Sequence, residues 1–102
     1  MPSYTITLPD QASHKLSDLI NTAYTSAMLE FSEVQLLADV GNGANNIAVG
    51  SSDVSDTVYS YILSAGSSRL YRRERGRPLI YLSTLYVKAN AGTPKLHIEG
   101  RV

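Results

Sequence analysis

The chain has no cysteine and no tryptophan, and no long apolar run interrupts its polar residues. Without cysteine there is no disulfide, no thiolate nucleophile and no cysteine-based zinc site. No apolar run approaches the roughly 20 residues that span a bilayer. The start, Met-Pro-Ser-Tyr-Thr, has neither the basic nor the apolar region of a secretory signal. We therefore expect a soluble protein that is made in the cytoplasm.

The composition that remains suits one small globular domain. Of the 102 residues, 43% are hydrophobic and 18% are charged, which is a folded rather than a disordered balance. The aromatic residues are seven tyrosines and one phenylalanine. A tyrosine ring can bury its body while its hydroxyl stays wet, which suits thin cores and interfaces. We treat residues 1–102 as a single β-rich domain, with an N-terminal strand and helix in 1–32 and a β core in 33–102.

Alternating apolar and polar residues predict short strands along most of the chain. Residues 4–8 alternate and end at Pro9, which is typical of an edge strand. Residues 34–40 alternate again, and a Gly/Asn turn separates them from 47–49, so we expect these two segments to form a β-hairpin. Further strands are predicted within 59–63, 69–72, 78–82, 85–89 and 95–99. This spacing predicts a mainly β fold, a small antiparallel β-sandwich or barrel.

A helical period replaces the alternation between residues 16 and 28. One helical face would carry the apolar side chains of Leu16, Leu19, Ile20, Ala23 and Ala27. Ser13 or Ser17 is a candidate N-cap, and Asp18 suits the first turn. The fold should therefore include one short N-terminal helix.

The net charge of zero hides an uneven distribution. Residues 1–68 contain one cation and seven acidic residues, whereas residues 69–102 contain eight cations and two acidic residues. The two parts therefore carry −6 and +6. Either they neutralise each other within the fold, or they create a bipolar surface that favours ordered contact between copies or with a partner.

Five arginines within nine residues form the sharpest local feature. They are Arg69, Arg72, Arg73, Arg75 and Arg77, and Tyr71 stands among them. Guanidinium groups suit carboxylates and phosphates alike. Three interpretations stay open: a solvated hairpin tip, a docking site for an acidic protein surface, and a nucleic-acid contact. The zero net charge and the single interleaved aromatic residue make nucleic acid the least favoured partner.

Residue patterns for catalysis and metal binding are missing. His14 and His97 have no carboxylate at ligand spacing, and His97 should project from the strand face opposite Leu96 and Ile98, toward solvent or an interface. No nucleophile elbow, phosphate loop or calcium loop occurs, although abundant serine leaves a Ser-His-acid triad compositionally open. The turn with Asp53 and Asp56 is typical of carboxylates that bond their own backbone. We expect no enzyme, no cofactor and no metal site.

Residues 33–100 resemble small structural proteins of tailed bacteriophage virions. The motifs that carry the resemblance are Asn46-Ile-Ala-Val-Gly-Ser-Ser-Asp-Val-Ser55, Ile62-Leu-Ser-Ala-Gly-Ser67, Tyr81-Leu-Ser-Thr-Leu-Tyr-Val-Lys-Ala-Asn90 and Lys95-Leu-His-Ile-Glu99. The resemblance implies turn positions for Gly50 and Gly66, and the Asn90–Pro94 segment predicts a third turn at Gly92. The arginine-rich segment at 69–77 and the helical segment at 13–28 depart from the pattern.

The resemblance implies a non-enzymatic virion protein. A head decoration (cement) protein that binds the major capsid protein or another virion protein, as a homo-oligomer such as a trimer, is the first expectation. The alternatives are a head–tail or tail accessory protein, and a receptor- or carbohydrate-binding module. In the last case Tyr59, Tyr61, Tyr71, Tyr81 and Tyr86 would supply a stacking platform.

Overall fold

The computed structural model describes residues 3–25, 27–55, 57–73 and 79–101. The predicted mainly β fold with one short helix is confirmed. The strands are β1 (Ser3–Thr7), β2 (His14–Lys15), β3 (Glu30–Phe31), β4 (Glu33–Ala38), β5 (Ile47–Gly50), β6 (Tyr61–Leu63), β7 (Ser68–Arg72), β8 (Ile80–Tyr81), β9 (Tyr86–Ala89) and β10 (Lys95–Arg101). The helix α1 spans Leu16–Ala23, and two 3-10 helices span Val40–Asn42 and Leu82–Thr84.

Two four-stranded antiparallel sheets make up the body of the domain. Sheet A has the order β1-β10-β4-β7, and sheet B has the order β2-β9-β5-β6. A small β3-β8 ribbon lies beside them. The first strand of the chain therefore pairs with the last, and β1 lies at an edge of sheet A, as the proline after it predicts.

The apolar faces of both sheets meet in one buried core, which defines a β-sandwich. Sheet A contributes Val34, Leu36, Leu96 and Ile98, and sheet B contributes Ile47, Val49 and Val87. Helix α1 adds Leu16 and Ile20 to this core, and the Phe31 ring packs into it next to Gly100. Gly100 is needed there because a Cβ on it would clash with the Phe31 ring.

The predicted hairpin between residues 34–40 and 47–49 is wrong. Strand β4 pairs with β10 and β7, whereas β5 pairs with β9 and β6 in the other sheet. The reason lies in the connection: Asp39 accepts a hydrogen bond from the Gly41 amide at 2.9 Å. The Asn42 side chain then bonds both the amide and the carbonyl of Lys95, each at 2.9 Å. These bonds anchor the chain beside β10 and carry it across to sheet B.

Helix α1 is shorter than its apolar period predicts. Lys15 is the N-cap and makes no side-chain capping bond, so the predicted cap at Ser13 or Ser17 is wrong, and Ser17 is buried within the helix. Asp18 lies in the first turn as expected. The helix ends because Tyr24 is extended, at φ −131° and ψ 138°. Its hydroxyl accepts from the Thr5 amide at 2.9 Å and donates to the Thr5 carbonyl at 3.2 Å, which holds it against β1.

The three glycines that we expected at turns have different surroundings. Gly66 and Gly92 have φ of 80° and 63°, in the left-handed region that favours glycine. Gly50 is instead the last residue of β5, paired with Tyr86, and the turn follows it. A Cβ on Gly50 would lie 3.3 Å from Val54, so its lack of a side chain makes room for the following loop.

Candidate functional site

The outward-facing side of sheet A is an open, largely polar surface of four strands. The alternation of buried and accessible residues places these side chains on it: Ser3, Thr5 and Thr7 from β1, Glu33, Gln35 and Leu37 from β4, Ser68, Leu70 and Arg72 from β7, and Lys95, His97, Glu99 and Arg101 from β10. We call this set the outer face. It contains two shallow depressions, which meet around Gln35 and Glu99.

Charges of opposite sign alternate across one end of the outer face. The register places Glu33 opposite Arg72 on one side and Arg101 on the other. Arg72 Nε lies 3.4 Å from Glu33 Oε1. Strands from the acidic and basic parts of the sequence thus lie next to each other. In sheet A the two parts neutralise each other locally, as one of the two interpretations of the charge distribution has it.

His97 lies near the centre of the outer face and is hydrogen-bonded at both ring nitrogens. Its Nε2 is 2.7 Å from Asp39 Oδ1, and its Nδ1 is 2.9 Å from Thr5 Oγ1. An ionised carboxylate can only accept, so Nε2–H donates to Asp39, and in the neutral ring Nδ1 accepts from the Thr5 hydroxyl. The prediction that His97 projects away from Leu96 and Ile98 is confirmed.

Sequence reasoning missed the carboxylate partners of both histidines. His14 Nε2 lies 2.7 Å from Asp10 Oδ1, four residues earlier, a spacing that could have signalled the contact. Asp39 has no such signal, because only the pairing of β10 with β4 brings it to His97. The hydrogen bond from His97, aided by the Gly41 amide, holds the pKa of Asp39 below its ordinary value.

The Thr5–His97–Asp39 chain joins a hydroxyl, an imidazole and a carboxylate across β1, β10 and the end of β4. Chemically, these are the groups of a hydrolase triad, but here Nδ1 faces the hydroxyl and Nε2 the carboxylate. The chain lies on an open sheet face, where His97 borders a shallow depression with Ser3, Leu37 and Glu99. The arrangement ties neighbouring strands together and orients the imidazole toward the surface.

The arginines do not gather at one point. Arg72 lies on the outer face, whereas Arg69 projects from the opposite side of β7 and stacks over the Tyr61 ring at 5.1 Å from its centroid. The Arg73 amide donates to the Ser32 carbonyl at 2.7 Å, and its side chain is exposed. Arg75 and Arg77 lie outside the described residues. The three described arginines therefore lie in β7 or directly after it, and Arg69 and Arg72 project from opposite faces.

Tyr71 and Tyr61 close the end of the sandwich where β6 and β7 lie. Their ring centroids are 5.8 Å apart. Within the described ranges the buried Tyr61 hydroxyl has no hydrogen-bond partner. Burial raises the pKa of Tyr61 far above its ordinary value, and the Tyr71 hydroxyl raises it further. Tyr61 is neutral, and Tyr71 is part of the packing as well as of the surface.

The five tyrosines proposed as a stacking platform occupy separate places. Among them, in the part of the chain that the structure describes, only Tyr61 and Tyr71 make a ring contact. Tyr86 lies near the Lys15 ammonium, 6.0 Å from its ring centroid, and Tyr59 and Tyr81 are exposed elsewhere. This arrangement does not resemble a single carbohydrate-binding surface.

The described residues contain no candidate metal cluster and no candidate membrane-spanning helix. No group of three or more His, Asp or Glu residues there could hold a metal ion, and Asp56 of the Asp53–Asp56 turn falls outside them. No helix in the described ranges is long and apolar enough to cross a membrane.

Comparison of the chain with protein-family models, curated proteins and solved structures gave no match.

Proposed function

We propose that the chain is a non-enzymatic structural protein of a tailed-phage virion, and that it decorates the head by binding the capsid lattice. The observation that carries this proposal is the outer face of sheet A. It is a regular four-stranded surface that no other described element covers, with charges of both signs around Leu37 and Leu70. Such a surface makes contacts over a broad area, and the sequence motifs supply the link to virion proteins.

The charge pattern of the outer face suits a protein partner better than a nucleic acid. Glu33 and Glu99 are interspersed with Arg72 and Arg101, and carboxylates in those positions repel phosphates. Alternating signs provide register and selectivity when they meet a complementary protein surface. The major capsid protein, or another virion protein, is the proposed partner.

Repeated copies would strengthen a weak contact. A symmetric homo-oligomer, such as a trimer, presents several outer faces at once, and simultaneous engagement of linked sites raises the overall affinity without new contacts. We therefore propose that the working form is a homo-oligomer seated on the lattice.

Capsid binding tests the proposal directly. Purified protein is mixed with capsids of the phage that encodes it and sedimented at low salt. We expect Gln35→Arg, in the middle of the outer face, to weaken binding about tenfold because it adds a longer, charged side chain to the contact surface. Asn21→Arg, an exposed change on α1, is the matched control and should bind like the parent chain.

Three results would contradict the proposal. The parent chain could fail to bind capsids, it could stay monomeric at every concentration tested, or Gln35→Arg could bind as well as Asn21→Arg. Binding of a defined glycan by the purified chain would favour the receptor-binding alternative instead.

A further inference from the structure

The register of β7 determines which of its peptide groups point away from sheet A. The Ala38 amide donates to the Ser67 carbonyl at 3.0 Å, and the Arg73 amide donates to the Ser32 carbonyl at 2.7 Å. Residues 67, 69, 71 and 73 therefore bond to β4, since bonding direction alternates along an antiparallel strand. The N–H and C=O groups of Ser68, Leu70 and Arg72 face outward.

The two edges of sheet A differ at the middle of the edge strand. At β1, the outward amide and carbonyl of Thr5 both bond to the Tyr24 hydroxyl. The Tyr4 hydroxyl accepts a hydrogen bond from the Met28 amide. At β7, the outward groups of Ser68, Leu70 and Arg72 make no bond with any described residue. An unpaired row of this kind is a template for another strand.

The side chains around this open edge are cationic. Arg69, Arg72 and Arg73 are all exposed, and among the described residues Glu33 is the single carboxylate paired with them. The Leu70 side chain is 46% exposed on the outer face and adds an apolar contact next to the edge. Among the described residues, the edge thus combines peptide groups without a bonding partner, positive charge and one aliphatic side chain.

We propose that β7 binds an extended acidic segment of a partner protein, which adds to sheet A as a fifth strand. Backbone hydrogen bonds supply affinity, and the arginines select carboxylates. A second copy of β7 is a poorer occupant because it would bring the same guanidinium groups together. This inference goes beyond the proposed function, because the edge has these properties wherever the chain works.

The probe is a capped seven-residue peptide, acetyl-Thr-Glu-Val-Asp-Val-Glu-Thr-amide, and its control replaces each acidic residue with lysine. In calorimetry we expect the acidic peptide to bind the chain and the lysine peptide not to bind. The affinity for the acidic peptide should fall as the salt concentration rises. In NMR hydrogen exchange, the amides of Ser68, Leu70 and Arg72 should become protected on binding, because they become paired.

Leu70→Pro separates strand addition from contact with the side chains. The Leu70 amide faces away from β4, so proline removes an outward donor and leaves the β4–β7 bonds in place. We expect binding of the acidic peptide to weaken about tenfold or more. Leu70→Ala keeps the amide and should bind within about threefold of the parent chain.

The alternatives give distinct results. Equal binding by Leu70→Pro, equal binding of the lysine peptide, or tighter binding of a single-stranded DNA of similar length would each overturn the proposal. Self-association that protects the same three amides without peptide would replace the acidic partner by a second copy. If Leu70→Pro does not fold, exchange in the parent chain decides: without new protection at Ser68, Leu70 and Arg72, the proposal is wrong.

Discussion

At the scale of single residues, the Tyr61 hydroxyl is out of place in a packed interior. A buried hydroxyl that has lost water and gained no partner costs about 1–3 kcal/mol. The described residues provide no partner, although the ring itself packs against Tyr71 and under Arg69. The packing of the ring therefore stabilises this end of the sandwich, whereas the unpaired hydroxyl destabilises the fold.

We predict that Tyr61→Phe raises the free energy of unfolding by about 1 kcal/mol, because it removes the unpaired hydroxyl and keeps the ring. Urea denaturation followed by far-UV circular dichroism measures it. Tyr59→Phe changes an exposed hydroxyl and should stay within about 0.5 kcal/mol of the parent chain. A clear loss of stability in Tyr61→Phe would show that the hydroxyl has a partner.

The lowered pKa of Asp39 predicts that the stability of the fold depends on pH. Its pKa lies below the ordinary 3.8 because His97 and the Gly41 amide bond to the carboxylate. The unfolded chain therefore takes up this proton first as the pH falls. The stabilisation is complete above about pH 5 and is lost as the pH falls through 3.8 toward the folded pKa.

Asp39→Asn removes that contribution. The gap in melting temperature between this variant and the parent chain should be constant near neutrality and should narrow below pH 3.8. Thermal melts across the acid range measure it. A gap that widens toward acid would contradict the assignment.

The face on which His97 projects could be predicted from its neighbours, but its partners could not. Strand alternation alone places the His97 side chain on the face of the strand opposite to that of Leu96 and Ile98. Asp39 is 58 residues away, and its position depends on how β10 is aligned with β4. Long-range register is set by the collective fit of the core, so no local pattern carries it.

At the scale of elements, β4 has two consecutive leucines with opposite surroundings. Leu36 is fully buried between the sheets, whereas Leu37 lies on the outer face. We predict that Leu36→Ala lowers the free energy of unfolding by about 3 kcal/mol, because it opens a cavity, and that Leu37→Ala lowers it by about 1 kcal/mol or less. Urea denaturation of the pair measures both. The reverse order would mean that β4 is shifted by one residue.

Strands were more predictable than their pairing. The alternation at 34–38 and 95–99 is a local property and located β4 and β10 well. The supposed hairpin failed because the Gly/Asn segment at 41–46 favours a turn without specifying which sheet receives the chain. The apolar period predicts too long a helix because Ala27 continues it, whereas the bonds of Tyr24 to β1 end the helix at Ala23.

At the scale of the whole molecule, sheet A is assembled from distant parts of the chain. The pairing of β1 with β10 joins the two ends of the sequence, and folding must close that loop before the pairing stabilises anything. We predict single-transition unfolding and a folding time of about milliseconds to seconds, as is usual for such topologies. Stopped-flow tyrosine fluorescence measures the rate.

A circular permutant gives the matched comparison. A short Gly/Ser linker from residue 102 to residue 1, with new termini between Ala91 and Gly92, makes β10 and β1 a local pair. This permutant should fold faster than the parent chain, since a long loop closure is removed. Equal rates would mean that the β1–β10 pairing forms after the rate-limiting step.

The distribution of charge on the surface could not be predicted from the uneven charge of the sequence, because it depends on the order of the strands. Residues 1–68 and 69–102 alternate in sheet A, so acidic β4 lies between basic β7 and β10. The link to virions rests on short motifs and stays a prediction. The open edge at β7 required the register of a strand and could not be inferred from the arginines alone.

The tyrosine pair at the β7 end gives the protein an optical reporter. With no tryptophan in the chain, its intrinsic emission comes from tyrosine, and Tyr71 belongs to β7, whose outer edge pairs with no described strand. A strand docked on β7 as proposed would change the surroundings of Tyr71 and of the Arg69–Tyr61 stack. Ligand uptake at this edge is therefore measurable as a change in fluorescence, without a dye or a label.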